Sequence, residues 1–219
     1  MNRHRKFLKI VGLLLVVVLS VAGCGASGGS AGGEPESDTS GWWVSVGDTW
    51  AIVWGEGARG VVLAHGAAYD AASWEAQGQT WGENGVVALA VEDVSPGSLR
   101  LAIDYLKEEY DVESVALVGA SAAAGPVLQV AEEDPEEISQ ILVLSGIGEV
   151  SGLREYPKLF VASEGEEISE RVRRMAEEAP GDRNEALILP GSAHAQAIFR
   201  TEEGDRLTQT ILERIEEYG

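Results

Sequence analysis

Few residues in this chain have the type and setting for covalent chemistry. Ser121 stands in "VALVGASAAAGPV" (115–127), directly after an apolar run, with Gly119 two positions before it and Ala123 two after. A serine attacks only when a base takes its proton. One raised on a tight strand-to-helix turn also needs small neighbours at those two positions, because the strained turn brings them together. Gly119 and Ala123 meet that demand, although the full pattern is G-x-S-x-G and Ala123 departs from it by a methyl group. Pro126 is a second departure: in a helix that began at Ala122, its missing N–H would forfeit an early hydrogen bond. Beyond residue 24 the only histidines are His65, in "GVVLAHG", and His194, in "LILPGSAHAQ". On residue type alone, either could be the base.

A second motif does not survive its context. "GEGARG" (55–60) matches the G-x-G-x-x-G pattern of dinucleotide sites, but that pattern needs a helix N-terminus next, to face the pyrophosphate. The following residues, "VVLAHG", read as a strand. The segment is therefore expected to be a turn between strands.

Elements able to hold Ser121 and a histidine in place recur along the chain. Strands are expected near "WWVSV", "TWAIVW", "GVVLAHG", "GVVALAV", "SVALVG", "QILVLSG", "KLFVAS" and "ALILPG". Several are unbroken Val, Ile and Leu runs, as in a parallel sheet covered on both faces. The first two, Trp-rich and alternating, suit an antiparallel edge. In "SPGSLRLAIDYLKEEY", Ser95 is a helix N-cap, Pro96 the first helical residue, and Leu99, Ala102, Ile103 and Leu106 one apolar face. "EEISERVRRMAEEA" and "RLTQTILERIEEY" repeat the amphipathic spacing. Strand and helix alternation predicts an α/β fold, a doubly wound, mostly parallel sheet of about eight strands.

The N-terminus reads differently. "MNRHRKFLK" is basic, the run from Ile10 to Gly23 is apolar but shorter than the roughly 20 residues that span a bilayer, and Cys24 is the only cysteine. With Val21, Ala22 and Gly23 before Cys24, residues 1–23 resemble a bacterial lipoprotein signal peptide. That resemblance implies cleavage before Cys24, lipid on Cys24, and a protein anchored on the extracytoplasmic face of the cell membrane. Residues 24–41, rich in Gly, Ser and acids, are expected to be a flexible tether reaching about 20–25 Å. Loss of residues 1–23 would remove four of the 16 basic residues and none of the 36 acidic ones, taking the net charge from −20 to −24. So acidic a surface repels phosphate backbones, and nucleic-acid binding is not expected.

From about Trp42 to the C-terminus, "HGAAYDAASW", "GASAAAG" and "PGSAH", in that order and spacing, resemble the oxyanion loop, nucleophile elbow and histidine loop of the α/β-hydrolase superfamily. The resemblance implies an α/β-hydrolase domain over 42–219, with Ser121 as nucleophile and His194 as general base and acid. The N–H groups of Ala67 and Ala122 would form the oxyanion hole, and His65 would hold its own loop. The acid would follow "KLFVAS", where Glu164, Glu166 and Glu167 are available; Glu166 has the best offset, and Glu149 is the fallback. Tyr69 could line the pocket, while Trp74 reads as a packing anchor. The short connection between "ILVLSG" and "KLFVAS" leaves no room for a lid, as in small dienelactone-hydrolase-like or cutinase-like esterases. The implied activity is hydrolysis of a small-molecule carboxylic ester, or of a thioester or amide, through an acyl-enzyme without metal or cofactor. The competing expectation is a catalytically silent hydrolase-fold lipoprotein that binds a small molecule or protein partner.

Overall fold

The computed structural model describes residues 38–219, apart from positions 114 and 134 and the side chain at 135. The expected leader, the lipidation site Cys24 and all but the end of the expected tether lie outside the described residues. From Thr39 onward the chain is held: Thr39 Oγ1 and the Ser40 N–H donate to the Glu75 carboxylate at 2.5 and 2.8 Å.

Eight strands form one sheet in the order β1-β2-β4-β3-β5-β6-β7-β8. They are β1 (Trp42–Val46), β2 (Thr49–Trp54), β3 (Arg59–Ala64), β4 (Val86–Val91), β5 (Val115–Ala120), β6 (Ile138–Leu144), β7 (Lys158–Ser163) and β8 (Asn184–Leu189). β1 and β2 are a hairpin whose turn holds Gly47 at φ +61°, and β2 runs antiparallel to β4. All other pairings are parallel. Every residue of β4, β5 and β7 is buried. Alternate side chains enter opposite layers, which is why these strands carry unbroken apolar runs rather than a polar alternation.

The helices are α1 (Glu75–Glu83), α2 (Pro96–Tyr110), α3 (Ala124–Glu133), α4 (Ser169–Glu178) and α5 (Gly204–Tyr218). Leu99, Leu106, Val127, Val130, Val172 and Met175 of α2, α3 and α4 pack on Val62, Leu117, Val143 and Phe160 on one face. On the other, Trp81 of α1 and Leu207, Ile211 and Ile215 of α5 pack on Leu63, Val118, Leu142 and Leu159. The Ser95 hydroxyl accepts the Ser98 N–H, Pro96 opens α2, and Asp111 ends it in the left-handed region. The "GEGARG" segment is a turn leading into β3, with Gly55 at φ +77°.

Two points of this topology position the site. First, β3 pairs with both β4 and β5, so the winding reverses there, and the ends of strands at such a reversal are where α/β sheets bind ligands. Second, residues 145–157 join β6 to β7 without helix or strand, so no lid domain is inserted there. Pro126 also finds its explanation. A 3₁₀ turn occupies Ser121–Ala123 and α3 starts only at Ala124, placing Pro126 in the first turn of α3, where a missing N–H forfeits no i→i−4 bond of that helix.

Candidate active site

Ser121 follows the last residue of β5 with φ +50°, a left-handed conformation that costs a non-glycine residue about 1–2 kcal/mol. The turn is sterically tight. A Cβ on Gly119 would lie 2.9 Å from Val127 Cγ2 and 3.0 Å from the Ala123 carbonyl oxygen, so glycine is required there. Smallness around Ser121 is thus a property of the turn.

The loop after β8 brings His194 to this serine: Nε2 lies 2.7 Å from Ser121 Oγ, and Nδ1 lies 2.6 Å from Glu166 Oε1. An ionised carboxylate only accepts, so Nδ1 carries the proton and Nε2 is left to accept from the serine hydroxyl. The Glu166 side chain is 8% exposed, whereas that of His194 is 55% exposed. Of the other acidic candidates, Glu164, Glu167 and Glu149 are exposed and do not meet the imidazole.

Backbone pairing continues beyond β7 and β8 and fixes the Glu166 loop against the His194 loop. The Glu164 N–H donates to the Leu189 carbonyl and the Gly165 N–H to the Gly191 carbonyl, both at 2.8 Å. The Ser163 hydroxyl adds a 2.6 Å bond to the Ala193 carbonyl. Glu166 Oε2 accepts the Ser163 N–H at 2.6 Å and the Ser145 hydroxyl at 2.8 Å. Buried Gln196 spans the next gap: its Oε1 accepts the Gly66 N–H at 2.8 Å and its Nε2 donates to Ser73 Oγ at 2.7 Å. No motif in the sequence marks Ser145, Ser163 or Gln196. Their one signal was a polar residue at the end of an apolar run, or just past the histidine.

Ala67 and Ala122 are both exposed. Gly66 packs on Ser121, since a Cβ there would lie 3.4 Å from Ser121 Cβ, and its own N–H is consumed by Gln196. The next N–H, that of Ala67, has no acceptor among the described residues, and that of Ala122 lies in the first turn of the 3₁₀ segment. His65 stays within its own loop region, Nδ1 2.9 Å from the Gly66 carbonyl and Nε2 3.1 Å from the Glu92 carbonyl. Tyr69 is half-buried with the Arg200 guanidinium 5.6 Å over its ring, and Trp74 is fully buried, edge-on to Phe199. Cavities of about 250 and 490 Å³ lie elsewhere, beside Trp42 and Trp54 and beside Asp48 and Asp93. Among the described residues no cluster of three or more His, Cys, Asp or Glu could hold a metal, and no helix is long and apolar enough to cross a membrane.

This is the α/β-hydrolase fold, without a lid domain. Similar solved structures include a dienelactone hydrolase from Anabaena variabilis ATCC 29413 (TM-score 0.65, 19% identity, 83% of this chain and 98% of that one). An esterase of the bacterial hormone-sensitive lipase family has a TM-score of 0.70 at 12% identity, over 84% of this chain and 86% of that one. A monoacylglycerol lipase from Paleococcus ferrophilus gives 0.63 at 16%, over 78% and 100%. Neither a family model nor a curated protein sequence matches the chain.

Proposed function

We propose that this protein is a serine hydrolase that cleaves a small-molecule carboxylic ester through an acyl-enzyme. The observation that carries the reading is the continuous line Ser121 Oγ, His194, Glu166, with contacts of 2.7 and 2.6 Å. Nε2 takes the serine proton as Oγ attacks the carbonyl, and returns it to the departing alcohol. Glu166 holds the tautomer and stabilises the imidazolium. The N–H groups of Ala67 and Ala122 receive the developing oxyanion, each contributing about 3 kcal/mol to the transition state. Water, admitted through the open site, then repeats the cycle on the acyl-enzyme. Neighbours described as esterases, a lipase and a dienelactone hydrolase support an ester as substrate.

A fluorophosphonate probe tests this directly. The purified chain should be labelled, Ser121→Ala should not, and hydrolysis of p-nitrophenyl esters should fall by roughly 10⁶-fold in that variant. An unlabelled wild-type protein would leave the fold as a binding scaffold for a small molecule or protein partner.

Anchoring belongs to the same reading: Cys24 carries lipid and holds the domain on the extracytoplasmic face of the membrane. Metabolic labelling with a palmitate analogue should mark the wild-type protein, and Cys24→Ser should release it into the soluble fraction. Equal membrane association of both would refute the lipid anchor.

A further inference from the structure

Ser145 follows the last residue of β6, next to the strand that leads into Ser121, and it is 3% exposed. Its backbone is left-handed, at φ +46°, and its N–H donates to the Val161 carbonyl at 2.7 Å. A serine without a special task would be replaceable here by glycine, which adopts this conformation freely. The hydroxyl has two partners, each at 2.8 Å: Glu166 Oε2 and the N–H of Ala195. The direction of both bonds is fixed by chemistry. A carboxylate only accepts, so Ser145 must donate its one proton to Glu166; an amide N–H only donates, so Ala195 must give to the Ser145 oxygen.

We infer that Ser145 is a positioning residue of the hydrolytic site, its hydroxyl fixing both the acid and the peptide that follows the histidine. The inference rests on the assignment of Ser121, His194 and Glu166 as the hydrolytic line. Glu166 turns one oxygen to His194 Nδ1 and the other to Ser145 Oγ and the Ser163 N–H, so the carboxylate cannot rotate without losing a buried bond. Ala195, itself at φ +50°, is adjacent to His194, so its tie to Ser145 sets where the imidazole begins. One hydroxyl therefore sets the spacing of acid and base from a third strand. It also tunes their charge. A donor on the carboxylate stabilises its anion and weakens its pull on the imidazolium; removing the donor strengthens that pull.

The experiment compares Ser145→Gly, which keeps the backbone conformation and loses the hydroxyl, with Ser145→Thr, which keeps the hydroxyl. Rates are normalised to the fraction labelled by fluorophosphonate, so a loss of folded protein does not count. For Ser145→Gly, kcat should fall by about 10- to 100-fold with KM little changed. The acidic limb of its pH–rate profile should move to higher pH, and Ser145→Thr should recover most of the loss. The His194 imidazole, titrated by NMR without substrate, should show the same upward shift. A wild-type kcat and pH profile in Ser145→Gly would overturn the assignment, as would a fall in kcat that Thr does not recover. If the wild-type chain is neither labelled nor active, the hydrolase reading fails by itself. The NMR titration then decides separately whether Ser145 governs the Glu166–His194 pair: an unshifted His194 in Ser145→Gly rejects it.

Discussion

Gln196 Oε1 accepts the Gly66 N–H at 2.8 Å, so the loop that carries His194 and the loop that carries Ala67 are fastened to each other at a buried point. Ser73, held by Gln196 Nε2, donates in turn to the Asp70 carbonyl at 2.5 Å, so both ends of the Ala67 loop are braced. Replacing Gln196 by leucine strands a buried N–H, at a cost of about 1–3 kcal/mol. It also frees the Ala67 loop, and misplacement of Ala67, a proposed oxyanion donor, should cost about 10²-fold in kcat. Steady-state kinetics with thermal unfolding will separate the two effects. Lower stability with unchanged kcat would mean that the brace does not extend to Ala67.

Ser121→Gly should give an inactive protein more stable than the parent. The left-handed turn penalises any side chain there, and relief outweighs the extra freedom glycine gains when unfolded, for a net gain of about 1 kcal/mol. Urea unfolding of the two proteins measures it. A less stable glycine variant would show that the Ser121 side chain contributes to the fold through the His194 contact.

The four candidate acids should differ sharply. Glu166→Gln leaves the shape intact but removes the charge beside Nδ1, and the loss should approach 10⁴-fold in kcat, as when a triad acid becomes an amide. Glu164→Gln, Glu167→Gln and Glu149→Gln, all at exposed positions, should stay within about threefold because surface charges interact weakly through water. Four small effects would refute the triad.

Lys158 makes stability depend on pH. It is 0% exposed, and its ammonium donates to the Tyr156 and Pro180 carbonyls at 2.8 and 2.7 Å and to Asn184 Oδ1 at 3.3 Å. Burial, helped by nearby Arg183 and opposed by Glu155, lowers its pKa from 10.5 to about 8. Between those values the unfolded chain binds the proton and the folded one does not. The folded state therefore gains stability as pH rises through this window, and the gain is lost as pH falls through about 8. The rise from pH 8 to 10 should be roughly 2 kcal/mol in urea unfolding, and Lys158→Met should flatten it. Above pH 10 half-buried Tyr156, whose pKa is raised chiefly by desolvation, pulls the other way, so the comparison belongs below that point. A slope unchanged in the variant would assign the effect to other groups.

The eight strands were legible because each core strand fills two layers and so reads as an apolar run. Their spatial order was not: nothing in "GVVLAHG" says that it lies between β4 and β5. Ser121 and His194 stood out through the turn's demand for small residues and the scarcity of histidines. Glu166 could not be told from Glu164 and Glu167 by composition. What separates them is a local turn, in which the Glu166 N–H returns to the Ser163 carbonyl and the side chain folds inward. Ser145 and Gln196 were invisible for a related reason, since their partners lie 21 to 130 residues away in sequence.

Ser121, Ser145 and Ala195 are three of the four non-glycine residues with positive φ among those described: Ser121 meets the His194 imidazole, Ala195 follows His194 in the chain, and Ser145 holds the Ala195 N–H. Conformational tension is thus concentrated where the proposed reactive groups meet, while the central strands β4, β5 and β7 beneath are buried along their whole length. On warming, this corner has the most to gain by rearranging. Catalytic competence should therefore decay at temperatures where far-ultraviolet circular dichroism still reports an intact sheet.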